Sequence, residues 1–306
     1  MNTDDPHPAG KPSSGPSRRR VLATGGLGAA AALAAVAPAA AQTTRQPEID
    51  TSYADFVLPK GTCDDSLTRV QSKGSLIVVT SNDWPYSFFD TKTNEWSGLD
   101  ADIIRFAQKM LKIPKLDVQT VTFDGMVPGL LSKRFDMIGD SIHYTKARAK
   151  IVDFSFPTYY YAECLSVKKG NPLKLHQLAD CKGHTIGTLL GTNYAEWLQS
   201  IPGVNFQGYK DWAQMLPELA SGRLDGVLYD MPVVAMMLKE HADWPVEIVE
   251  DYEPRTFKNP NGYSRYIFRQ EDAQLRSAFS AATEWMEYNM EMSKILTKWG
   301  LTGYNN

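Results

Sequence analysis

The sequence predicts an α/β protein made of two similar lobes. Two observations carry this. Apolar residues alternate along the chain between short β-branched runs and stripes at helical spacing. In addition, residues 126–138, MVPGLLSKRFDMI, recur as residues 215–227, MLPELASGRLDGV, at an offset of 89; six of thirteen positions are identical and three more are conservative apolar exchanges. Each copy reads as a helix with proline in its first turn, then a turn and a strand. Phe123 and Trp212 occupy the same offset upstream, and the offset sets Ser141 opposite Asp230, each at the C-terminal end of its strand. Ligands of open α/β sheets bind at such strand ends.

The elements follow from local pattern. Leu76 to Val79 is a β-branched run, followed by an aromatic turn, Thr80 to Asp90. Ile103, Ile104, Ala107, Met110 and Leu111 form one apolar helical stripe, which Pro114 ends. Leu116 to Val121 alternates as a strand, Phe135 to Ile138 is a strand, and Phe154 to Tyr161 is an aromatic strand. In the second lobe Leu165 to Lys168, His184 to Thr188 and Leu224 to Tyr229 are predicted strands, and Leu173 to Leu178 and Pro232 to Lys239 predicted helices. Thr192 or Asn193 caps a helix over Tyr194 to Gln199. Arg265 to Arg269 is a last strand, and Gln274 to Trp299 a long helical region with Leu275, Phe279, Ala282, Met286 and Met290 on one face.

The first 41 residues read as a twin-arginine-type signal peptide. A Pro/Ser/Gly-rich start leads to Arg18-Arg19-Arg20, an Ala/Gly-rich apolar run over Ala23 to Ala37, and Ala39-Ala40-Ala41 as a cleavage site. The apolar run is too short and mild for a membrane span. The mature chain is expected to begin near Gln42, with residues 42–62 a polar lead-in, and to be a soluble periplasmic protein. No cysteine directly follows the signal, which argues against a lipoprotein.

The whole chain carries 32 Lys+Arg and 35 Asp+Glu, a net charge of −3. The signal holds four of the basic and two of the acidic residues, so 28 face 33 in the remainder. With no basic patch, nucleic acid is excluded as a partner. Export permits disulfides. Of Cys63, Cys164 and Cys181, the last two close a short loop and are the expected bridge. No Cys-x-x-C or His/Cys cluster points to a metal, and no cofactor is implied.

Arg148 lies on the polar loop of residues 139–157, GDSIHYTKARAKIVDFSFP, beyond a strand end. A guanidinium there is placed to grip a small carboxylate with two parallel hydrogen bonds. Asp230 on the other lobe pairs with an ammonium, and N–H groups at Thr192 favour an anion. Together these predict a pocket for a zwitterion.

In series, several motifs resemble those of the periplasmic solute-binding proteins for polar amino acids, which have the type II binding-protein fold. They are Gly98-Leu99-Asp100-Ala101-Asp102; Thr145-Lys146-Ala147-Arg148 running into Val152-Asp153-Phe154-Ser155-Phe156-Pro157; Asp180-Cys181-Lys182-Gly183 with Ile186-Gly187; Gly191-Thr192; Gly222-Arg223-Leu224-Asp225 with Asp230; and Lys298-Trp299-Gly300. The likeness covers roughly residues 70–303. It implies a central mixed sheet flanked by helices in each lobe and two hinge crossovers, with lobe 1 spanning 63–160 plus 265–306 and lobe 2 spanning 161–264. It also implies that Arg148 holds the ligand α-carboxylate, helped by Thr192, and Asp230 the α-ammonium.

The chain departs from the family at three places. His143 stands where Ser or Thr is usual, Ala147 where Glu or Lys is usual, and Asp83-Trp84-Pro85-Tyr86 where Tyr-Pro-Pro-Phe is usual. The stacking aromatic position is thus Asp83, with Trp84 or Tyr86 as its substitute, and an acid there either meets a cationic side chain or faces solvent. Ser141, His143, Asn193, Asp83, Trp84 and Tyr86 complete the expected site around Arg148, Asp230 and Thr192. The expected function is non-catalytic: a monomer that delivers an amino acid to an ABC permease of the inner membrane. The alternative is an exported cyclohexadienyl or arogenate dehydratase on the same scaffold, which requires an added general acid, with Asp83, His143 and Glu163 as candidates.

Overall fold

A computed structural model describes residues 64–258 and 262–301. The expected signal peptide, the lead-in and Cys63 lie outside these residues. In chain order the elements are α1 (Ser66–Lys73), β1 (Leu76–Thr80), β2 (Phe88–Phe89), β3 (Trp96–Ser97), α2 (Leu99–Met110), β4 (Leu116–Thr120), α3 (Phe123–Leu131), β5 (Met137–His143), β6 (Asp153–Phe154), β7 (Glu163–Lys168), β8 (Thr185–Leu189), α4 (Asn193–Gln199), β9 (Asn205–Tyr209), α5 (Met215–Ser221), β10 (Gly226–Asp230), α6 (Met231–Glu240), β11 (Val246–Ile248), β12 (Ser264–Phe268), α7 (Ala273–Tyr288) and α8 (Glu291–Lys298).

Two five-stranded mixed sheets organise these elements, in the orders β4-β1-β5-β12-β6 and β11-β7-β10-β8-β9. The repeat explains their likeness. β5 and β10 occupy the middle of their sheets, each with a parallel partner on one side and an antiparallel partner on the other. The identical residues of the repeat do matching work in both copies. Met126 and Leu130, like Met215 and Leu219, are buried in the core. Ser132 and Ser221 each donate to a carbonyl three residues back, that of Gly129 or Glu218, at 3.0 Å. Asp136 accepts from the amide of Ile77 at 3.0 Å, and Asp225 from that of Thr185 at 2.8 Å, so each aspartate ties its strand to the parallel neighbour. The backbone amides of the same two aspartates donate back to the carbonyls of Ile77 and Thr185, both at 2.9 Å.

The chain passes between the lobes twice, after β6 and before β12, and the two crossovers meet in an antiparallel bridge between Tyr160 and Tyr263. α7 and α8 pack against α1 and α2 on the first lobe. The predicted stripe of α2 is fully buried there. Each such aliphatic side chain contributes about 1.5–3 kcal/mol by leaving water.

Several expectations fail for local reasons. The helix expected over Leu173 to Leu178 does not form. Asn171 brackets Leu175 instead, donating to its carbonyl at 3.1 Å and accepting from its amide at 2.9 Å, and a 3-10 turn follows at Leu178–Cys181. α3 starts five residues before Pro128, so that proline lies inside the helix rather than in its first turn. The long C-terminal helix breaks at Met290, which takes φ 62° and is 60% exposed rather than on the buried face. The aromatic strand shortens to β6, because Phe156 exposes its ring and Pro157 has no N–H to pair.

The Cys164–Cys181 bridge is absent: both cysteines are buried and free. Each thiol turns to its own neighbour, Cys164 Sγ lying 3.9 Å from Ser166 Oγ on the same face of β7 and Cys181 Sγ 3.8 Å from the Gln177 carbonyl.

Gly98 precedes α2 at φ 124°, and a Cβ there would lie 2.2 Å from the carbonyl oxygen of Tyr86. That carbonyl accepts from the amide of Asp100 at 2.8 Å. Gly98→Ala therefore strains the backbone and opens the first loop. It is expected to cost about 2–5 kcal/mol and to lower Tm by roughly 5–15 °C in a thermal melt.

Candidate functional site

The seam between the sheets is where β5 and β10 end. β5 runs out through Ser141 and His143 into a turn in which the Arg148 amide donates to Thr145 Oγ1 at 3.1 Å. This turn presents the guanidinium to the seam. Arg148 donates to the carbonyl of His143 at 2.8 Å and, across the seam, to that of Gly191 at 2.8 Å. Its enclosure pulls its pKa down, which the neighbouring Tyr161, Glu196 and Tyr194 partly oppose. Asp230, the last residue of β10, is 5% exposed and accepts from the Tyr194 hydroxyl at 2.6 Å. Burial pushes its pKa up to about 7, with Glu163 and Asp140 adding to the rise and the Tyr194 bond opposing it.

Arg148 and Asp230 do not touch. Tyr161 and Tyr194 stand in the field of both. His143 lies flat on Tyr161 with ring centroids 4.0 Å apart. Burial and the nearby Arg148 hold its pKa down at about 3, so it is neutral, and its Nε2 has no hydrogen-bond partner among the described residues. Ser141 Oγ lies 2.7 Å from the Tyr159 hydroxyl, and its carbonyl accepts from Tyr161 at 3.1 Å.

The first loop supplies the facing wall. Tyr86 is fully buried against Tyr159 and Tyr161, and its hydroxyl faces Asp230 without a well-formed bond. Asp83 Oδ2 accepts from the Tyr229 hydroxyl of the opposite lobe at 2.8 Å. Trp84 stacks on Trp212, also across the seam, with centroids 6.4 Å apart, and Trp212 Nε1 donates to the Asn82 carbonyl at 3.3 Å. A cavity of about 410 Å3, lined by residues that include Ser81, Asn82, Lys210 and Trp212, opens beside this stack.

Thr192 caps α4, accepting from the Ala195 amide at 3.2 Å and donating to the Leu189 carbonyl at 2.7 Å, so its hydroxyl serves the turn. Asn193 opens α4 and is buried beside it. Glu163 serves the hinge: it accepts from the Tyr252 and Thr256 hydroxyls and from the amides of Arg255 and Thr256. Among the described residues no group of three or more His, Cys, Asp and Glu could hold a metal.

Sequence reasoning missed the shell of tyrosines, 159, 161, 194 and 229, and also Asp140. The tyrosines read there as strand or helix core. Asp140 carried a signal in its place on β5, next to Ser141. Its carboxylate receives the Ser81 amide at 2.7 Å, the Ser81 hydroxyl at 2.5 Å, the Thr80 hydroxyl at 3.4 Å and the Ser141 amide at 3.0 Å. Burial raises it to about 6 against those bonds.

Residues 76–302 match the model of the bacterial extracellular solute-binding proteins, family 3. The chain belongs to that family. A curated relative of this solute-binding protein is the L-cystine-binding protein TcyJ of Escherichia coli, 31% identical over 180 residues, which are 58% of this chain and 66% of the relative. Among solved structures, an ancestral arginine-binding protein bound to arginine is 28% identical with a TM-score of 0.67, covering 74% of this chain and 98% of that one. The ancestral amino acid-binding protein AncCDT-1, a precursor of cyclohexadienyl dehydratase, is 26% identical with a TM-score of 0.65, covering 76% and 98%. Among the described residues no helix is long and apolar enough to cross a membrane.

A carboxyl whose folded pKa lies above its unfolded value binds more protons in the folded state. It therefore weakens stability as pH rises from the unfolded value towards the folded one. For Asp230 that window runs from about 4 to about 7. Asp230→Asn is expected to raise the Tm of the ligand-free protein by several degrees at pH 8, with the gain shrinking towards zero near pH 4. Thermal melts across that range measure it.

Proposed function

We propose that this solute-binding protein takes a small zwitterionic amino acid in the seam between its lobes. In this reading Arg148 grips the α-carboxylate and Asp230 the α-ammonium. A buried Asp230 carboxyl and a half-buried Arg148 guanidinium, supplied by different lobes and sharing Tyr161 and Tyr194 as neighbours, carry the reading. Neither charge is neutralised by the other. A ligand with both signs supplies what each lacks, whereas an uncharged ligand leaves both unmatched in a poorly polarisable site.

The lobes meet through Arg148 to Gly191, Tyr229 to Asp83 and Trp212 to Asn82. Entry requires these bonds to part about the paired crossovers, and closure returns them around the ligand. The ligand carboxylate would replace the backbone carbonyls on the guanidinium, a stronger acceptor for a weaker one. The neutral His143 ring and the tyrosines would wall the ligand rather than charge it. Exported to the periplasm by the twin-arginine signal, the protein acts as a monomer that hands its cargo to an ABC permease of the inner membrane.

Relatives named for L-cystine and arginine favour an amino-acid cargo. A second reading, a dehydratase, is favoured by the raised pKa of Asp83, a direction that suits a general acid, and by the likeness to AncCDT-1. The two separate in one assay: turnover of prephenate, read by absorbance, would replace the transport reading.

Truncating one partner of a desolvated charge pair costs about 3–5 kcal/mol. Arg148→Ala and Asp230→Ala are each expected to weaken amino-acid binding at least about a hundred-fold by titration calorimetry, with the fold intact by circular dichroism. Affinity within a few-fold of the parent in either variant counts against the site.

A further inference from the structure

Asp83 is the side chain that the zwitterion reading does not use. It is 5% exposed, its Oδ2 is held by Tyr229, and its Oδ1 has no hydrogen-bond partner among the described residues. It lies between the lobes, on the first loop of one and against the strand end of the other. A buried carboxylate normally gathers several donors. Asp140 and Glu163 have four donors each, and Asp100, whose Oδ2 is likewise unpartnered, still has two tyrosine hydroxyls on Oδ1. Asp83 has been left one bond short.

Charge balance points the same way. Arg148 and Asp230 match a ligand of net charge zero. Among the described residues Asp83 is a further acid with no cation beside it, and the groups in its field are Asp140, Asp230, Asp100 and Tyr229. In the closed seam it must either keep a proton or meet a positive group brought from outside.

We propose that Asp83 selects a ligand with a second positive group, an α-amino acid whose side chain ends in an ammonium or guanidinium, by accepting a hydrogen bond from that group on Oδ1. This rests on the zwitterion reading above and narrows it to one class of amino acid. Tyr229 engages the other oxygen, Oδ2, and leaves Oδ1 for the ligand. The ring stacking that an aromatic residue at position 83 would offer is replaced by charge.

The acid also makes binding and protonation compete. Burial and the neighbouring acids Asp140 and Asp230 hold the Asp83 pKa well above the usual carboxylate range, with the Tyr229 bond opposing them. A cation on Oδ1 favours the ionised form, so binding a cationic amino acid lowers the Asp83 pKa, which a neutral one does not. Asp230 titrates nearby and meets the α-ammonium of either ligand, so its contribution is common to both and cancels in the comparison.

The test is titration calorimetry on the mature protein at pH 7.5 with L-arginine, L-lysine and L-ornithine against L-glutamine and L-cystine, in phosphate and in Tris to count protons. The parent is expected to bind at least one cationic amino acid ten-fold or more tighter than glutamine or cystine, and to release more protons with it. Asp83→Asn is expected to collapse that preference to within about two-fold and remove the extra proton release. Tyr229→Phe removes the same cross-seam bond but keeps the charge, and is expected to retain the preference. Three results would overturn the assignment: neutral amino acids binding as tightly as cationic ones in the parent, Asp83→Asn keeping the preference, or Tyr229→Phe losing it as fully as Asp83→Asn. Neutral binding that Arg148→Ala abolishes would leave the zwitterion reading standing alone, and no binding of any amino acid would remove both.

Discussion

Charge held out of water is the constraint on which the rest of this structure depends. The chain buries Asp83, Asp100, Asp140, Glu163 and Asp230 and sets Arg148 at the edge of the same region. An ionised group there is costly unless donors surround it. The fold meets that cost unevenly. Glu163 is saturated by the segment Tyr252 to Thr256, which leads back to the hinge, and so joins the return path to the start of β7. Asp140 is saturated by Thr80, Ser81 and Ser141, which fixes the first loop over the end of β5. Asp230 and Asp83, which face the opposite lobe, have one tyrosine each. Satisfaction falls towards the seam, where an incoming molecule can complete it.

The tyrosines make that arrangement tolerable. A phenol is apolar along its body and polar at its tip, so it fills the space between two sheets and still donates one hydrogen bond. Tyr194 and Tyr229 each give that bond to a carboxylate at the seam, and Tyr159 and Tyr266 give theirs to Asp100 at 2.9 and 2.8 Å. Closure draws on the stacked Trp84 and Trp212 and on cross-seam bonds such as Arg148 to Gly191, Tyr229 to Asp83 and Trp212 to Asn82, beside two crossovers joined by a single bridge. A ligand shifts such an equilibrium only by its differential affinity for the closed state. Charges that come from both lobes and meet one small molecule provide that difference.

Much of the architecture was legible because it is written twice. The repeat places Met, Leu, Ser and Asp at positions whose roles are the same in both sheets, so the offset of 89 foretold the equivalence of β5 and β10 and put Asp230 at a strand end. The stripe of α2 was readable because helical period and burial coincide. Arg148 was found as a charge on a loop between apolar strands. What stayed hidden depends on partners distant in sequence. Tyr229 looks like strand core until Asp83, 146 residues away, is seen to accept its hydrogen bond. The absent disulfide shows the converse, since closeness in sequence says nothing of where two thiols point. The break at Met290 and the Asn171 bracket around Leu175 are single-residue choices that override the periodicity.

The most direct measurement is a crystal structure of the protein with a bound amino acid. The ligand carboxylate is expected within about 3 Å of the Arg148 guanidinium, and its α-ammonium within about 3 Å of an Asp230 oxygen. A ligand bound elsewhere, or one in the seam that leaves Arg148 on the carbonyls of His143 and Gly191 and makes no contact with Asp230, would contradict the claim that opposite charges from the two lobes hold it.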